Sequence, residues 1–210
     1  MSSRTDSGLD VHNPAAAYGF DASYRGSPPN WDIGRPQRAF VHLAEAGRIG
    51  SRVIEVGCGT GELSLFLARR GHEVLGVDVA PSAIERARAK ARWRRIPAQF
   101  LAWDALRLDD LGVRADTVVD SAMLHCLGPA ERERAVEAIR RTLRPGGRYY
   151  LLCDARADGA AATWASLSRA EIRELFGPDD GWSLSFVFDT GFERRGSRSP
   201  AFLVGARRRE

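Results

Sequence analysis

One ten-residue stretch, residues 53–62, most constrains what this chain folds into. It opens with Val-Ile-Glu-Val, a short run rich in β-branched residues that predicts a buried strand. Gly57, Gly59 and Gly61 follow, and glycine takes backbone angles that a Cβ forbids and lets a ligand approach the main chain. Thr60 stands where a helix N-cap would be, ahead of an amphipathic run. A strand, a glycine turn and a helix in this order predict the start of a nucleotide-binding βαβ unit.

The spacing of these glycines separates two kinds of nucleotide site. A dinucleotide-binding loop follows the pattern GxGxxG, in which the third glycine lies one position later and leaves room for a pyrophosphate. Here the pattern is GxGxG, and Glu55 precedes it by two positions. The spacing therefore argues against a dinucleotide site. Because a lone glycine loop also fits an ordinary tight turn, the interpretation depends on the rest of the chain.

The length of 210 residues suits a single domain with a full hydrophobic core. No apolar run reaches the roughly 18 to 20 residues that a membrane-spanning helix needs, and no secretory signal is recognised. Cys58, Cys126 and Cys153 are scattered without a CxxC pair, so neither a zinc site nor a disulfide framework is predicted. We therefore expect a cytoplasmic protein without a metal or a membrane partner, either a monomer or a homodimer.

The net charge of +4 is carried almost wholly by arginine, since Lys90 is the only lysine. Five arginines lie along one predicted helix: Arg86, Arg88, Arg92, Arg94 and Arg95. Such a cluster fits either a nucleic-acid patch or a solvated helix face. Acidic residues are nearly as numerous as basic ones and are well mixed with them. We therefore favour the solvated face and predict no nucleic-acid partner.

The first 34 residues differ in character from the rest of the chain. Residues 1–13 are polar and are predicted to be disordered. Residues 14–35 have the composition of a loop but carry four aromatic side chains, which disordered tails seldom contain: Tyr18, Phe20, Tyr24 and Trp31. We expect residues 1–34 to form a flexible arm, either a lid over the active site or a surface arm, and residues 35–210 to form one domain.

Strand-like and helix-like segments alternate beyond this arm. Strands are predicted at residues 53–56, 73–79, 98–102, 113–120, 148–153, 182–194 and 200–208. Helices are predicted at residues 36–47, 62–70, 81–94, 129–143 and 168–176. This alternation predicts an α/β fold, a doubly wound and mainly parallel sheet with helices on both faces. The last two strands are close enough in sequence to form a hairpin, which makes one edge of the sheet antiparallel.

Asp78 ends the second predicted strand, about 20 residues beyond the glycine turn. A carboxylate in that position can accept hydrogen bonds from both hydroxyls of a ribose. The alternative is an N-cap for the next helix, but Pro81 has the character of a first-turn proline and Ser82 offers a competing cap. We therefore predict that Asp78 binds a ribose.

Taken together, these motifs resemble those of a known family. Glu55, the three glycines, Asp78, Asp104 and Asp120 occur in the order and spacing of the class I S-adenosylmethionine (SAM) methyltransferases. Residues 143–147, Leu-Arg-Pro-Gly-Gly, resemble the turn that precedes a strand in that family. The resemblance covers roughly residues 35–210. It implies a Rossmann-like, seven-stranded sheet that binds SAM, and its product S-adenosylhomocysteine (SAH), across the carboxyl ends of the strands.

The resemblance also implies roles for individual residues. The glycine loop would contact the methionine part of SAM, and Asp78 the ribose. Asp104 would face the adenine amino group, although an acid at that place can also cap a turn, and the backbone of residues 120–121 would bind the methionine amino group. The positions assigned to the cofactor site are Trp31, Glu55, Gly57, Cys58, Gly59, Gly61, Asp78, Val79, Asp104, Ala105, Asp120 and Ser121.

The residues after the fourth predicted strand indicate the substrate class. Nucleic-acid amino-methyltransferases carry (Asp/Asn)-Pro-Pro-(Tyr/Phe) there, whereas residues 120–123 are Asp-Ser-Ala-Met. With Trp-Asp-Ile-Gly-Arg-Pro-Gln at residues 31–37, the chain resembles the small-molecule branch, which includes thiopurine, tellurite and thiol methyltransferases and toxoflavin-type heterocycle N-methyltransferases. We expect methyl transfer to an N, O or S atom of a small aromatic or heterocyclic molecule, N-methylation being favoured, in bacterial secondary metabolism or detoxification. The alternative is a non-catalytic SAM-fold binding or regulatory protein.

Methyl transfer from a sulfonium is an in-line displacement, so positioning supplies much of the catalysis. A base is needed only when the nucleophile carries a proton that must leave, and His125 is the best placed candidate, although backbone groups of its loop can equally satisfy it. Trp31 or Tyr18 can lie over the sulfonium as a cation–π partner, or simply pack the arm. Arg35 either pairs with the methionine carboxylate or faces solvent. The predicted substrate-binding residues are Tyr18, Tyr24, Trp31, His125 and Trp164.

Overall fold

The protein's structure is a computed structural model that describes residues 14–160 and 165–210. The strands in these residues are β1 (Arg52–Val56), β2 (Glu73–Asp78), β3 (Gln99–Ala102), β4 (Ala115–Ser121), β5 (Leu143–Asp154), β6 (Trp182–Arg194) and β7 (Ser197–Arg208). The helices are α1 (Pro14–Ser23), α2 (Arg38–Glu45), α3 (Glu62–Arg69), α4 (Pro81–Arg94), α5 (Pro129–Thr142) and α6 (Arg169–Leu175). Two 3₁₀ turns, Ala105–Leu111 and Leu124–Cys126, follow β3 and β4.

All seven strands belong to one sheet, in the order β3-β2-β1-β4-β5-β7-β6. Strands β1 to β5 run parallel, and β7 pairs antiparallel with both β5 and β6. Because β2 lies on one side of β1 and β4 on the other, the strand order reverses between β1 and β4. Ligands of open α/β sheets bind outside the carboxyl ends of the strands at such a reversal. The predicted fold class is confirmed, including the antiparallel C-terminal hairpin.

Two hydrophobic cores cover the two faces of this sheet. Val53 packs with side chains of α2, α3 and α4, whereas its neighbour Ile54 packs with side chains of α5 and α6. On β4, Val119 likewise belongs to the same core as Val53, and Val118 belongs to the same core as Ile54. Since successive side chains of a strand point to opposite faces, the two cores lie on opposite sides of the sheet. The chain is therefore doubly wound, as its alternating pattern predicts.

The structure differs from the predicted elements in two places. Residues 14–23, predicted as loop, form helix α1, which packs on α4. The Leu-Arg-Pro-Gly-Gly segment, predicted as a turn before β5, is the irregular beginning of β5 itself. The register between β4 and β5 shifts there, because Ala115 pairs with Leu143 whereas Thr117 pairs with Arg148. Residues 144–147 of β5 therefore form a bulge opposite β4.

Two properties of the described residues bear on function. No helix within residues 14–160 and 165–210 is long and apolar enough to cross a membrane. In the same part of the chain, no group of three or more His, Cys, Asp and Glu side chains is placed to hold a metal ion. The cysteines Cys58, Cys126 and Cys153 are free thiols.

Candidate functional site

The glycine loop joins β1 to α3 at the carboxyl edge of the sheet. Gly57, Gly59 and Gly61 have φ angles of +64°, +52° and +81°, which favour glycine. A Cβ at Gly57 would lie 2.5 Å from the Cβ of Met123, and a Cβ at Gly59 would lie 2.9 Å from the Tyr24 hydroxyl. The loop needs glycine both for its conformation and for the close approach of neighbouring side chains.

Glu55 supports this loop from inside the protein. Its carboxylate accepts hydrogen bonds from the Ser64 amide at 2.8 Å and from the Ser64 hydroxyl at 2.5 Å, and the side chain is buried. Burial raises the pKa of Glu55 to about 8. These contacts tie the first turn of α3 to β1. Glu55 was predicted for the cofactor site, and in the structure its carboxylate bonds Ser64 of α3.

Asp78, at the carboxyl end of β2, lies directly across from the glycine loop. Its carboxylate accepts hydrogen bonds from the backbone amides of Gly59 at 2.7 Å and Ala80 at 2.9 Å. Burial raises the pKa of Asp78, and the amides oppose that shift. Each carboxylate oxygen has two lone pairs, so these two bonds leave acceptor capacity. Asp78 thus holds both the glycine loop and the start of α4. Val79, the next residue in sequence, is partly buried.

The N-terminal segment covers the loop through Tyr24. The Tyr24 side chain is buried, and its hydroxyl accepts a hydrogen bond of 2.9 Å from the indole nitrogen of Trp31. The two rings meet edge to face at a centroid distance of 6.4 Å. Tyr24 and Phe20 also pack against Ala80 and Ala83 at the start of α4. Two of the predicted aromatic residues therefore lie beside the glycine loop, in contact with each other.

Residues 30–37 connect the glycine loop to the β6–β7 hairpin. On one side, the Asp32 carboxylate accepts a 2.8 Å hydrogen bond from the Thr60 hydroxyl. On the other side, the Arg195 side chain donates to the Asp32 carbonyl at 2.7 Å. Arg35 forms a two-point ion pair with Glu193, at 3.0 Å for each bond. Arg35 therefore binds the hairpin, rather than facing solvent alone.

Asp104 and Ala105 follow β3 and are both buried. The Asp104 carboxylate accepts a 2.9 Å hydrogen bond from the Leu106 amide and so caps the 3₁₀ turn. The Trp103 amide donates to the Asp78 carbonyl at 2.9 Å, which brings this turn next to the end of β2. The structure thus shows the capping contact, and places Asp104 at the same sheet edge as Asp78.

Asp120 is completely buried at the end of β4. Its carboxylate accepts hydrogen bonds from the amides of Met123 at 2.7 Å and Leu124 at 3.0 Å, and from the Tyr149 hydroxyl at 2.8 Å. Burial raises its pKa to about 7. The side chain therefore fixes the loop after β4, and the partly buried Ser121 continues from it. The Asp120 carboxylate is thus engaged by three groups of the protein.

His125 lies in the 3₁₀ turn after β4 and is buried. Its Nδ1 atom accepts a 2.9 Å hydrogen bond from the Asp154 amide at the end of β5. Burial lowers the pKa of His125 to about 4. The backbone group that bonds the ring belongs to β5 and not to the loop of His125, and it occupies only one of the two ring nitrogens.

A charged cluster beside His125 was not expected from the sequence. Arg194 pairs with the Asp154 carboxylate, which also accepts a 2.5 Å hydrogen bond from the Ser199 hydroxyl. The Arg194 guanidinium lies 4.6 Å from the centroid of the Phe192 ring. These residues are distant in sequence and meet because β7 pairs with β5, with Asp154 opposite Ala201. The sequence signal that could have identified Asp154 is its position at the carboxyl end of a strand. Asp78 was identified by the same kind of position.

Two predicted substrate-binding residues cannot be placed. Tyr18 lies in α1, but its side chain is outside the described part of the structure, and Trp164 lies outside the described residues altogether. Of the others, Tyr24 and Trp31 lie together over the glycine loop, whereas His125 lies near the ends of β4 and β5. Cys58 is buried within the loop, where its amide donates to the Val77 carbonyl at 3.0 Å.

Comparison with known proteins gives a family match over the central part of the chain. Residues 53–147 match the family described as a methyltransferase domain. The 2-heptyl-1-hydroxyquinolin-4(1H)-one methyltransferase of Mycobacteroides abscessus is 34% identical over 141 residues, which cover 63% of this chain and 62% of that protein. The chain thus spans less than two thirds of the length of this curated relative.

Solved structures extend the similarity over nearly the whole chain. A protein structure concerned with the conversion of a disulfide bond into a thioacetal group during echinomycin biosynthesis is 31% identical, with a TM-score of 0.83, and the match covers 92% of this chain and 91% of that chain. The 1,6-didemethyltoxoflavin-N1-methyltransferase of Burkholderia thailandensis, solved with 1,6-didemethyltoxoflavin and S-adenosylhomocysteine, has the same fold at 21% identity. Its TM-score is 0.75, and the match covers 95% of this chain and 90% of that chain.

Proposed function

This chain belongs to the class I SAM-dependent methyltransferases, and from that premise we propose that it transfers a methyl group from SAM to a small aromatic or heterocyclic molecule. The observation that carries the proposal is the pairing of the glycine loop with Asp78 at the point where the strand order reverses. There the Gly59 amide donates to the Asp78 carboxylate at 2.7 Å. Glycines without side chains and an acid with spare acceptor capacity fit the methionine and ribose parts of SAM, respectively.

Different residues are assigned to different parts of the cofactor. We assign the backbone of residues 57–61 to the methionine part, Asp78 to the ribose, and the turn at Asp104 and Ala105 to the adenine. The backbone of residues 120–121 is assigned to the methionine amino group. Glu55 acts indirectly, because its carboxylate bonds Ser64 and thereby keeps the loop in place. When bound, SAM supplies a methyl carbon that its sulfonium activates.

We further propose that residues 1–34 act as a lid. Two contacts support this role: Tyr24 lies against Gly59, and Trp31 donates to Tyr24. A closed aromatic cover would exclude water and place π faces near the sulfonium, where a cation–π contact is favourable. A lid that closes over the site suits a small substrate better than a polymer.

An aromatic or heterocyclic substrate is supported by one of the relatives. The M. abscessus relative is a methyltransferase of a hydroxyquinolinone, that is, of a fused heteroaromatic ring. We favour a ring nitrogen as the methyl acceptor, with oxygen and sulfur as alternatives.

Calorimetric titration of the purified protein with SAM and SAH tests the proposal. We expect micromolar affinity for both, as roughly −8 kcal/mol of binding free energy, and no detectable binding by the Asp78→Ala variant with its fold intact. Glu73→Ala, which removes an exposed carboxylate from the start of the same strand, is the matched control and should bind as the wild type does. No binding of either compound by the wild type would overturn the proposal. Tight binding without SAH formation across a panel of heterocycles, phenols and thiols would favour the non-catalytic alternative.

A further inference from the structure

The role of His125 is defined by which of its two ring nitrogens carries the proton. The Nδ1 atom accepts a 2.9 Å hydrogen bond from the Asp154 amide, and an amide cannot accept in return. The neutral ring therefore carries its proton on Nε2. A ring in this state donates from Nε2 and has no lone pair there with which to remove a proton.

The Nε2 atom is the other hydrogen-bonding group of the ring. No hydrogen bond joins it to any of the described residues. The residue as a whole is 3% exposed. The neutral ring therefore holds one N–H donor, on Nε2, that bonds to none of the described residues.

The charges around the ring keep it neutral. Asp154 of β5 faces the ring and favours the imidazolium, but its carboxylate is paired with Arg194 of β6. Arg194 and Arg132 of α5 disfavour the imidazolium, and burial disfavours it most. The pKa of His125 is accordingly lowered to about 4, so the ring stays neutral through the physiological range.

On the basis of the proposed function, we propose that His125 acts as a hydrogen-bond donor to the substrate through its Nε2–H group. It would thereby select heterocycles that carry a carbonyl oxygen or an unprotonated ring nitrogen conjugated to the atom that receives the methyl group. A donor at the conjugated acceptor stabilises the anion of the substrate, because the negative charge is shared with that acceptor.

The reaction balances without a protein base. The substrate N–H or O–H loses its proton to water, and the resulting anion keeps its charge partly on the acceptor held by Nε2–H. The nucleophile then forms a bond to the methyl carbon of SAM. The carbon–sulfur bond breaks with its electron pair going to sulfur, which yields SAH. His125 keeps its proton throughout, so turnover should not depend on a histidine pKa near 6.5.

Nitrogen NMR of the histidine rings in the wild-type protein tests the tautomer without requiring activity. We expect His125, identified by its loss from the His125→Gln spectrum, to stay neutral and Nε2-protonated from pH 5.5 to pH 8.5. Addition of SAH and quinolin-4(1H)-one, which carries a conjugated carbonyl, should shift its Nε2–H signal, whereas 1,2,3,4-tetrahydroquinoline, which lacks the carbonyl, should not. A Nδ1-protonated ring, a titration near pH 6.5, or no response to quinolin-4(1H)-one would overturn the proposal.

Matched variants supply the kinetic test on any quinolinone that is methylated. Glutamine keeps an acceptor and an N–H donor but cannot take up a proton at neutral pH, so His125→Gln should retain kcat/KM within about tenfold, whereas His125→Phe should lose about 100-fold. Both should bind SAH with wild-type affinity. Equal losses in the two variants would show that an N–H donor at this position does not support turnover and would sink the proposal. If the wild type binds no SAM, the proposed function fails, while the NMR result still decides the state of His125.

Discussion

At the residue scale, Glu55 shows how the cofactor loop depends on a buried acid. Its pKa is raised from 4.5 to about 8, because burial disfavours the carboxylate more than the two bonds from Ser64 favour it. The folded state therefore binds this proton more tightly than the unfolded chain does. A raised pKa in the folded state means stability that is complete below pH 4.5 and is lost as the pH rises toward 8.

We predict that Glu55→Gln removes this pH dependence. Glutamine keeps the acceptor for Ser64 and has no proton to lose, so the variant should gain unfolding free energy relative to the wild type between pH 5 and pH 8, with a slope of up to about 1.4 kcal/mol per pH unit. Urea unfolding at a series of pH values measures it. Glu73→Gln, at an exposed site on β2, should show no such trend. A constant difference between Glu55→Gln and the wild type would contradict the assignment.

At the element scale, residues 30–37 join two parts of the site that are far apart in sequence. Asp32 contacts Thr60 of the glycine loop through its side chain and Arg195 of the β6–β7 hairpin through its backbone. The Gln37 side chain exchanges two hydrogen bonds with the Glu193 backbone, at 2.8 Å and 2.9 Å. Residues 30–37 therefore couple the glycine loop structurally to the hairpin, and the proposed lid would close in contact with both.

We predict that Asp32→Ala weakens the closed form of this segment. Loss of one charge-assisted hydrogen bond should raise the Kd for SAH about three- to tenfold, mainly through faster dissociation. Stopped-flow tryptophan fluorescence reports the dissociation rate, since Trp31, one of the five tryptophans, lies near the loop. Glu45→Ala removes an equal charge from an exposed pair with Arg70 and serves as the control. If both variants release SAH at the wild-type rate, the segment does not hold the lid closed.

At the scale of the whole molecule, one continuous sheet links every part of the site. The glycine loop, Asp78, Asp120 and Asp154 all lie at strand ends of that sheet. A ligand that binds the folded state alone therefore stabilises the entire domain, and unfolding should remain one cooperative transition. At a concentration of 100 times its Kd, SAH should raise Tm by roughly 5 to 10 °C. Scanning calorimetry measures the shift, and two transitions that respond separately would contradict a single coupled unit.

The sequence determined the architecture because its signals are local and repeated. Period-two and helical patterns, the GxGxG turn and the acid at the end of a strand each depend on neighbours only a few residues away. They were sufficient for the sheet, for the doubly wound topology and for the position of Asp78. These local signals did not predict α1. That helix packs on α4 through contacts between residues some 60 positions apart, such as the hydrogen bond from the Ser82 amide to Asp21.

Only the tertiary structure decided what individual polar groups do. The sequence marked His125 as a chemically interesting residue, but the Asp154 amide, 29 positions away, occupies its Nδ1 atom and fixes the proton on Nε2. Likewise, the Glu55 carboxylate bonds Ser64 of α3, and Arg35 pairs with Glu193. The ionisation and orientation of a buried side chain depend on burial and on partners that strand pairing brings together. Local sequence therefore specifies which groups reach the sheet edge, and the fold specifies their protonation and their hydrogen bonds.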